Sequence, residues 1–190
     1  NGVHGSIISW SDNQIIVRVP VCGVTSVCLR IVTDYGTSAC MDFVVKAGNV
    51  KRDFNADGIA DILWRKESTG QVVLWFMNAD GTRSSYKTLL TDTAWTIMAA
   101  DDFNADGIAD ILWRKESTGQ VVLWFMDADG TRSSYKTLLT DTAWTIMAAD
   151  DFNADGIADI LWRKESTGQV VLWFMNADGT RSSYKTLLTD

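Results

Sequence analysis

Short apolar bursts separated by turn residues run through most of this chain. In the central stretch, Ala94 to Ala100 (AWTIMAA) is apolar and ends in two small residues. Ile108 to Trp113 (IADILW) follows a Gly-containing loop, and Gln120 to Met126 (QVVLWFM) is apolar on both faces. Ser133 to Leu139 (SSYKTLL) carries Ser, Tyr and Lys and suits a solvated sheet edge. Bursts this short, rich in β-branched and aromatic residues and divided by Gly turns, predict strands rather than helices. Ser117-Thr118-Gly119 reads as a turn, and Asp127-Ala128-Asp129-Gly130 as a hairpin turn closed by Asp-Gly.

The same pattern recurs. Residues 53–101 return as 102–150 and, cut short, as 151–190, with a period of 49 residues. Aligned units differ at Asn78, Asp127 and Asn176. Four antiparallel strands per unit, small inside and polar outside, repeated at this period, describe the blade of a β-propeller. The predicted fold is therefore all-β: three four-stranded antiparallel blades, an incomplete or assembled propeller, after a small N-terminal β-sandwich-like segment. The expected division is 1–46 for that segment, 47–52 for a linker, then blades at 53–101, 102–150 and 151–190. Val44 to Lys51 replaces the apolar run that would open the first unit, so the first blade is expected to lack a good inner strand. Trp64, Trp75, Trp95 and their copies are expected to pack between blades.

Composition narrows the function. With 46% hydrophobic and 22% charged residues the chain is globular rather than disordered. Its net charge of −7 argues against a general nucleic-acid partner, which needs a basic face. No apolar run approaches a membrane span. The chain opens at Asn1 with neither an initiator Met nor a signal-peptide pattern, as expected of a processed product or a piece of a longer protein. Cys22, Cys28 and Cys40 form an odd set without zinc spacing, compatible with one disulfide plus a thiol or with three thiols. His4 is the only histidine, and neither GxSxG nor a phosphate-binding Gly loop occurs, so no enzyme activity is expected.

One motif carries chemistry. Residues 53–61 read DFNADGIAD, and the same nine residues stand at 102–110 and 151–159. Oxygen-bearing side chains fall at positions one, three, five and nine, and the carbonyl of position seven faces inward when the chain curls. Hard cations such as Ca2+ take about 6–8 oxygens, and Mg2+ prefers a more water-rich octahedral site. The predicted ligands are Asp53, Asn55, Asp57, Ile59 and Asp61, then Asp102, Asn104, Asp106, Ile108 and Asp110, then Asp151, Asn153, Asp155, Ile157 and Asp159, with about one Ca2+ per blade. A helix–loop–helix calcium site needs Glu at position twelve, where Trp64 stands here.

The run Asp53 to Arg65 (DFNADGIADILWR) and the later Trp-Phe-Met stretch resemble the FG-GAP/VCBS repeat, the blade of integrin α-like propellers. That resemblance covers residues 53–190. It implies a calcium-binding propeller on secreted or cell-surface proteins, often adhesive or lectin-like, and carries the ligand role onto the residues named above. Residues 1–46, with Trp10, a strand over Gln14 to Pro20 and further strands near Cys28 and Asp42, resemble the second half of an IPT/TIG immunoglobulin-like domain.

Three functions follow as expectations. The first is an extracellular calcium-stabilised module for adhesion or protein interaction. The second is a carbohydrate-binding module that stacks sugars on its aromatics beside Arg65, Lys66, Glu67 and Ser68. The third is a subunit of a homo-oligomer or filament joined through exposed blade faces.

Overall fold

The computed structural model describes residues 50–189 throughout, and before them only the backbone of six short strands. The chain divides into two compact units, Asn1–Gly48 and Asn49–Asp190. In the first unit, β1 (Ser6–Ser11) pairs with β2 (Gln14–Arg18), β3 (Val27–Leu29) with β6 (Met41–Phe43), and β4 (Val32–Thr33) with β5 (Gly36–Thr37). The IPT/TIG-like assignment, His4 and the cysteine side chains lie outside the described residues.

The second unit holds three antiparallel sheets and, among the described residues, no helix. The first contains β7 (Ile62–Lys66), β8 (Gln71–Met77) and β9 (Arg83–Thr91). The second runs β10 (Trp95–Asp101), β11 (Asp110–Lys115), β12 (Gln120–Met126) and β13 (Arg132–Thr140). The third runs β14 (Trp144–Asp150), β15 (Asp159–Lys164), β16 (Val170–Met175) and β17 (Arg181–Leu188). The sheets do not close into a barrel.

The first sheet thus has three strands, without the inner strand that Val44 to Lys51 was expected to supply poorly, where the other two have the four expected of a blade. Residues 44–51 lack the AWTIMAA pattern, and no described strand pairs with the free edge of β7. Repeat and sheet are also out of phase: Trp95–Asp101 ends one sequence unit yet hydrogen-bonds into the next sheet, opposite Asp110 to Lys115. β10 and β14, with small Ala99 and Ala100 and their copies Ala148 and Ala149, lie next to each other as inner strands. β9, β13 and β17 are the polar outer edges.

Period-two alternation gives each sheet two unlike apolar faces. One face of the first sheet, with Val72, Leu74 and Phe76, packs on Ala109, Ile111, Trp113 and Met126 of the second. The second sheet repeats this with Val121, Leu123 and Phe125 against Ala158, Ile160, Trp162 and Met175 of the third. Each Ile, Phe or Leu buried fully in these seams contributes about 1.5–3 kcal/mol. Trp113 and Trp162 are buried in the seams as expected, and the half-buried Trp95 and Trp124 pack on the first seam and Trp144 and Trp173 on the second, while Trp75, Trp124 and Trp173 each lie beneath an Arg side chain. Backbone bonds join the sheets as well: the N–H of Ala109 donates to the carbonyl of Asp53 at 2.7 Å, and that of Ala158 to Asp102 at 2.8 Å.

Candidate metal centre

Each acidic loop leads into the second strand position of its sheet, and its turn is closed by its own side chains. Asp53 Oδ2 accepts the N–H of Gly58 at 2.8 Å, and Oδ1 accepts those of Asn55 and Asp57 at 3.3 Å. Asn55 Oδ1 accepts the N–H of Asp57 at 3.1 Å, and Asp57 Oδ1 that of Ile59 at 2.8 Å. Short Asp and Asn side chains favour such turns because their oxygens reach backbone N–H groups two residues on. The curl requires left-handed backbone, with φ of +59° at Ala56 and +84° at Gly58. Glycine takes that conformation freely, while Ala56 and its copies Ala105 and Ala154 carry strain of about 1–2 kcal/mol. The other two loops repeat the pattern, with Gly107 and Gly156 donating to Asp102 and Asp151 at 2.8 and 2.9 Å.

Position nine does something the spacing did not foretell. Asp61 Oδ2 accepts the N–H of Phe54 and Oδ1 that of Met77, both at 2.9 Å. Asp110 binds Phe103 and Met126 likewise at 3.1 and 2.9 Å, and Asp159 binds Phe152 and Met175 at 3.2 and 3.0 Å. Each carboxylate is a strut that ties the start of the loop to the end of β8, β12 or β16. All three are buried. Burial pushes the Asp110 carboxyl up to about 8 against the pull of the Met126 and Phe103 N–H groups, and the charges of Asp106 and Asp102 add to the rise. Asp61 and Asp159 are raised by the same causes in the same order.

Donor chemistry in each loop suits a hard cation: three carboxylates and an amide oxygen, all oxygen donors. The N–H bonds leave lone pairs over, because a carboxylate offers about four acceptor sites. Mutual repulsion among the carboxylates is the kind of strain that a bound cation relieves. Asn55 Nδ2, 2.9 Å from Asp57 Oδ2, occupies part of that role, and a cation would compete with it. Among the described residues, no three acidic, His or Cys side chains are drawn close enough to form a ready-made metal cage. Asp53, Asn55 and Asp57 converge on one another, while both oxygens of Asp61 are engaged by backbone. The Ile59 carbonyl makes no described contact with them.

A second recurrent feature lies on the outer strands. Arg132 stands 4.6 Å from the Trp124 ring and 5.2 Å from that of Tyr135, and Arg83 and Arg181 repeat the stack in the other sheets. A groove of about 490 Å³ beside Trp173 and Arg181 runs between the second and third sheets. Another, of about 200 Å³, runs beside Trp124 and Arg132 between the first and second.

Side-by-side antiparallel sheets, each introduced by an acidic loop at a fixed period, define a repeat module built of propeller-type blades. The FG-GAP-like repeat family matches residues 53–113 and again 102–162, more than half of the chain, and the chain belongs to that family. No curated protein and no solved structure matches it. Among the described residues no helix is long and apolar enough to cross a membrane.

Proposed function

We propose that this chain is a non-catalytic, calcium-binding propeller-repeat module that serves adhesion or protein interaction outside the cell. The observation that carries this reading is the threefold recurrence of one loop in which Asp, Asn and Asp side chains converge on a left-handed turn. The ligands are Asp53, Asn55, Asp57, the Ile59 carbonyl and Asp61, with the corresponding residues from Asp102 and from Asp151. Bound Ca2+ neutralises carboxylates that otherwise repel one another. Three divalent ions would bring the formal charge of −7 close to neutrality. An extracellular site of this kind binds with Kd on the order of 10⁻⁴–10⁻³ M. At ten times Kd each site then adds about 1.4 kcal/mol of stability.

Calorimetric titration with CaCl2, read beside native mass spectrometry, tests the proposal. The expected result is three bound ions and a Tm that falls in EDTA. No heat and no mass increment at millimolar Ca2+ would remove calcium from the account. A second reading, carbohydrate binding, is favoured by the Arg-stacked tryptophans beside the grooves between sheets. A glycan array without a hit would dispose of it.

A further inference from the structure

Every seam between sheets joins an outgoing face to an incoming one. The outgoing side supplies a Phe at the loop, a Phe on the strand next to the outer edge, a loop carbonyl and a lysine. In the first seam these are Phe54, Phe76, the Asp53 carbonyl and Lys87. The incoming side supplies an Ile on the second strand, an alanine N–H and a hairpin glycine: Ile111, Ala109 and Gly130. Lys87 Nζ donates to the Asp129 carbonyl at 3.1 Å, and in the second seam Lys136 donates to that of Asp178 at 3.0 Å. The glycines are moulded to the phenylalanines. A Cβ on Gly130 would sit 2.9 Å from Phe76 Cζ, and one on Gly179 would sit 2.9 Å from Phe125 Cζ.

Among the described residues both halves of this seam recur without a mate. On the first sheet Ile62 is 42% exposed, against 0% for Ile111 and Ile160. A Cβ on Gly81 would meet nothing within 4 Å, and among the described residues the Ala60 N–H has no backbone partner. On the third sheet Phe152 is 45% exposed, against 0% for Phe54 and Phe103. Met147, Leu187 and Leu188 are exposed there too, while Met98, Leu138 and Leu139 pack on the next sheet. Among the described residues Lys185 forms no ion pair and the Asp151 carbonyl has no backbone partner.

We propose that these two faces bind each other between two copies of the chain, the third sheet of one docking on the first sheet of the other. The unmated halves carry the same residues as the seams already formed inside the molecule, so the contact is a continuation of an existing interface. Phe174 of one copy lies over Gly81 of the other, Phe152 beside Ile62, and Lys185 reaches the hairpin carbonyl of Asp80. The contact is head-to-tail, and such contacts make rings when the rotation closes. The three sheets of the second unit make six in a pair of chains, within the range of about 4–8 that closes a propeller. A closed dimer is the expected product. The assembly goes beyond the calcium reading and stands or falls apart from it.

Sedimentation velocity of the full chain across a concentration series, in Ca2+ and in EDTA, is the test. Wild type is expected to run as a dimer. Ile62→Asp spoils the incoming face and Phe152→Asp the outgoing face, both at exposed positions, and each variant alone is expected to run as a monomer. Mixing the two restores dimer mass, because the pair still offers one intact outgoing and one intact incoming face. If circular dichroism shows either variant unfolded, Ile62→Ser and Phe152→Ser take its place. A wild type that stays monomeric at every concentration overturns the proposal. So do variants that keep the wild-type mass, or a mixture that stays monomeric. Dimer that forms in EDTA, or calcium binding by a monomer, separates the two proposals.

Discussion

The two glycines Gly81 and Gly130 offer an internally controlled measurement of how tightly the sheets fit. Both close the same hairpin turn. The N–H of Gly81 donates to the Asn78 carbonyl at 2.9 Å and that of Gly130 to Asp127 at 2.8 Å. Both are left-handed, with φ of +79° and +75°. Alanine therefore costs each position the same backbone strain, about 1–2 kcal/mol. What differs is the surroundings. The new methyl at position 81 meets open space, whereas at 130 it lies 2.9 Å from Phe76 Cζ and 3.2 Å from Leu74 Cδ2. Phe76 is held in a buried cluster with Val72 and Leu74 and cannot withdraw freely. Overpacking of this kind adds about 1–3 kcal/mol. Gly130→Ala should thus lose about 2–5 kcal/mol in all and Gly81→Ala about 1–2 kcal/mol. At about 2–4 °C per kcal/mol for a domain of this size, their melting temperatures should differ by several degrees. Urea or thermal unfolding followed by Trp fluorescence, at dilutions where single chains prevail, measures both. Equal losses under those conditions would refute the packing argument and the seam geometry with it.

Ile111→Ala should destabilise the monomer by about 2–5 kcal/mol and Ile62→Ala by well under half of that, since Ile111 is buried and Ile62 is not; urea midpoints compare the two. Ala105→Gly, which relieves left-handed strain at the cost of chain entropy, should be neutral to stabilising by up to about 1 kcal/mol and raise Tm, whereas Ala128→Gly in the hairpin lacks positive φ and should not. Asp110→Asn keeps one acceptor for the two N–H groups of Phe103 and Met126, and the stranded donor should cost about 1–3 kcal/mol in EDTA, with a further loss of one bound ion in Ca2+ by native mass spectrometry. Lys51 sits 2.8 Å from Asp150 and 3.4 Å from Asp101, and Lys51→Met should cost less than about 1 kcal/mol, less still at high salt. The hydrogen bond from Lys51 holds the Asp150 carboxyl below the ordinary Asp range, so this contribution should be present above that range and vanish as pH falls through the lowered value; at the alkaline end it should vanish as pH rises past the raised Lys51 value.

Much of the strand pattern was legible because alternation and turn chemistry are local. Gln120–Met126 is the predicted strand itself, and Arg132–Thr140 exceeds the predicted Ser133 to Leu139 by one residue at each end. The phase of the sheets was legible in part: the strand pattern set Ala94 to Ala100 before Ile108 to Trp113 as the opening strand of a unit, whereas the unit bounds 53–101 put the same run at a unit's end, and the pairing of Trp95 to Asp101 with β11 decides for the first. The loop was readable as a cluster of oxygens from spacing alone. The strut role of Asp61 was not, because its partner Met77 is sixteen residues away and is brought near by the β7–β8 hairpin. Nor could any local signal place Lys51 between Asp101 and Asp150, since both carboxylates end inner strands of later sheets.

The stagger between repeat and sheet bears on how such a gene can change. Trp95–Asp101 is encoded with one unit and hydrogen-bonded into the following sheet, and Trp144–Asp150 does the same one step later. Unequal crossing-over that removes residues 102–150, for example, takes three strands from the second sheet and the inner strand of the third, and β10 is left to pair with β15 in a complete sheet. Copy number can therefore rise or fall by recombination, wherever the breakpoints land, without leaving a half-built unit behind.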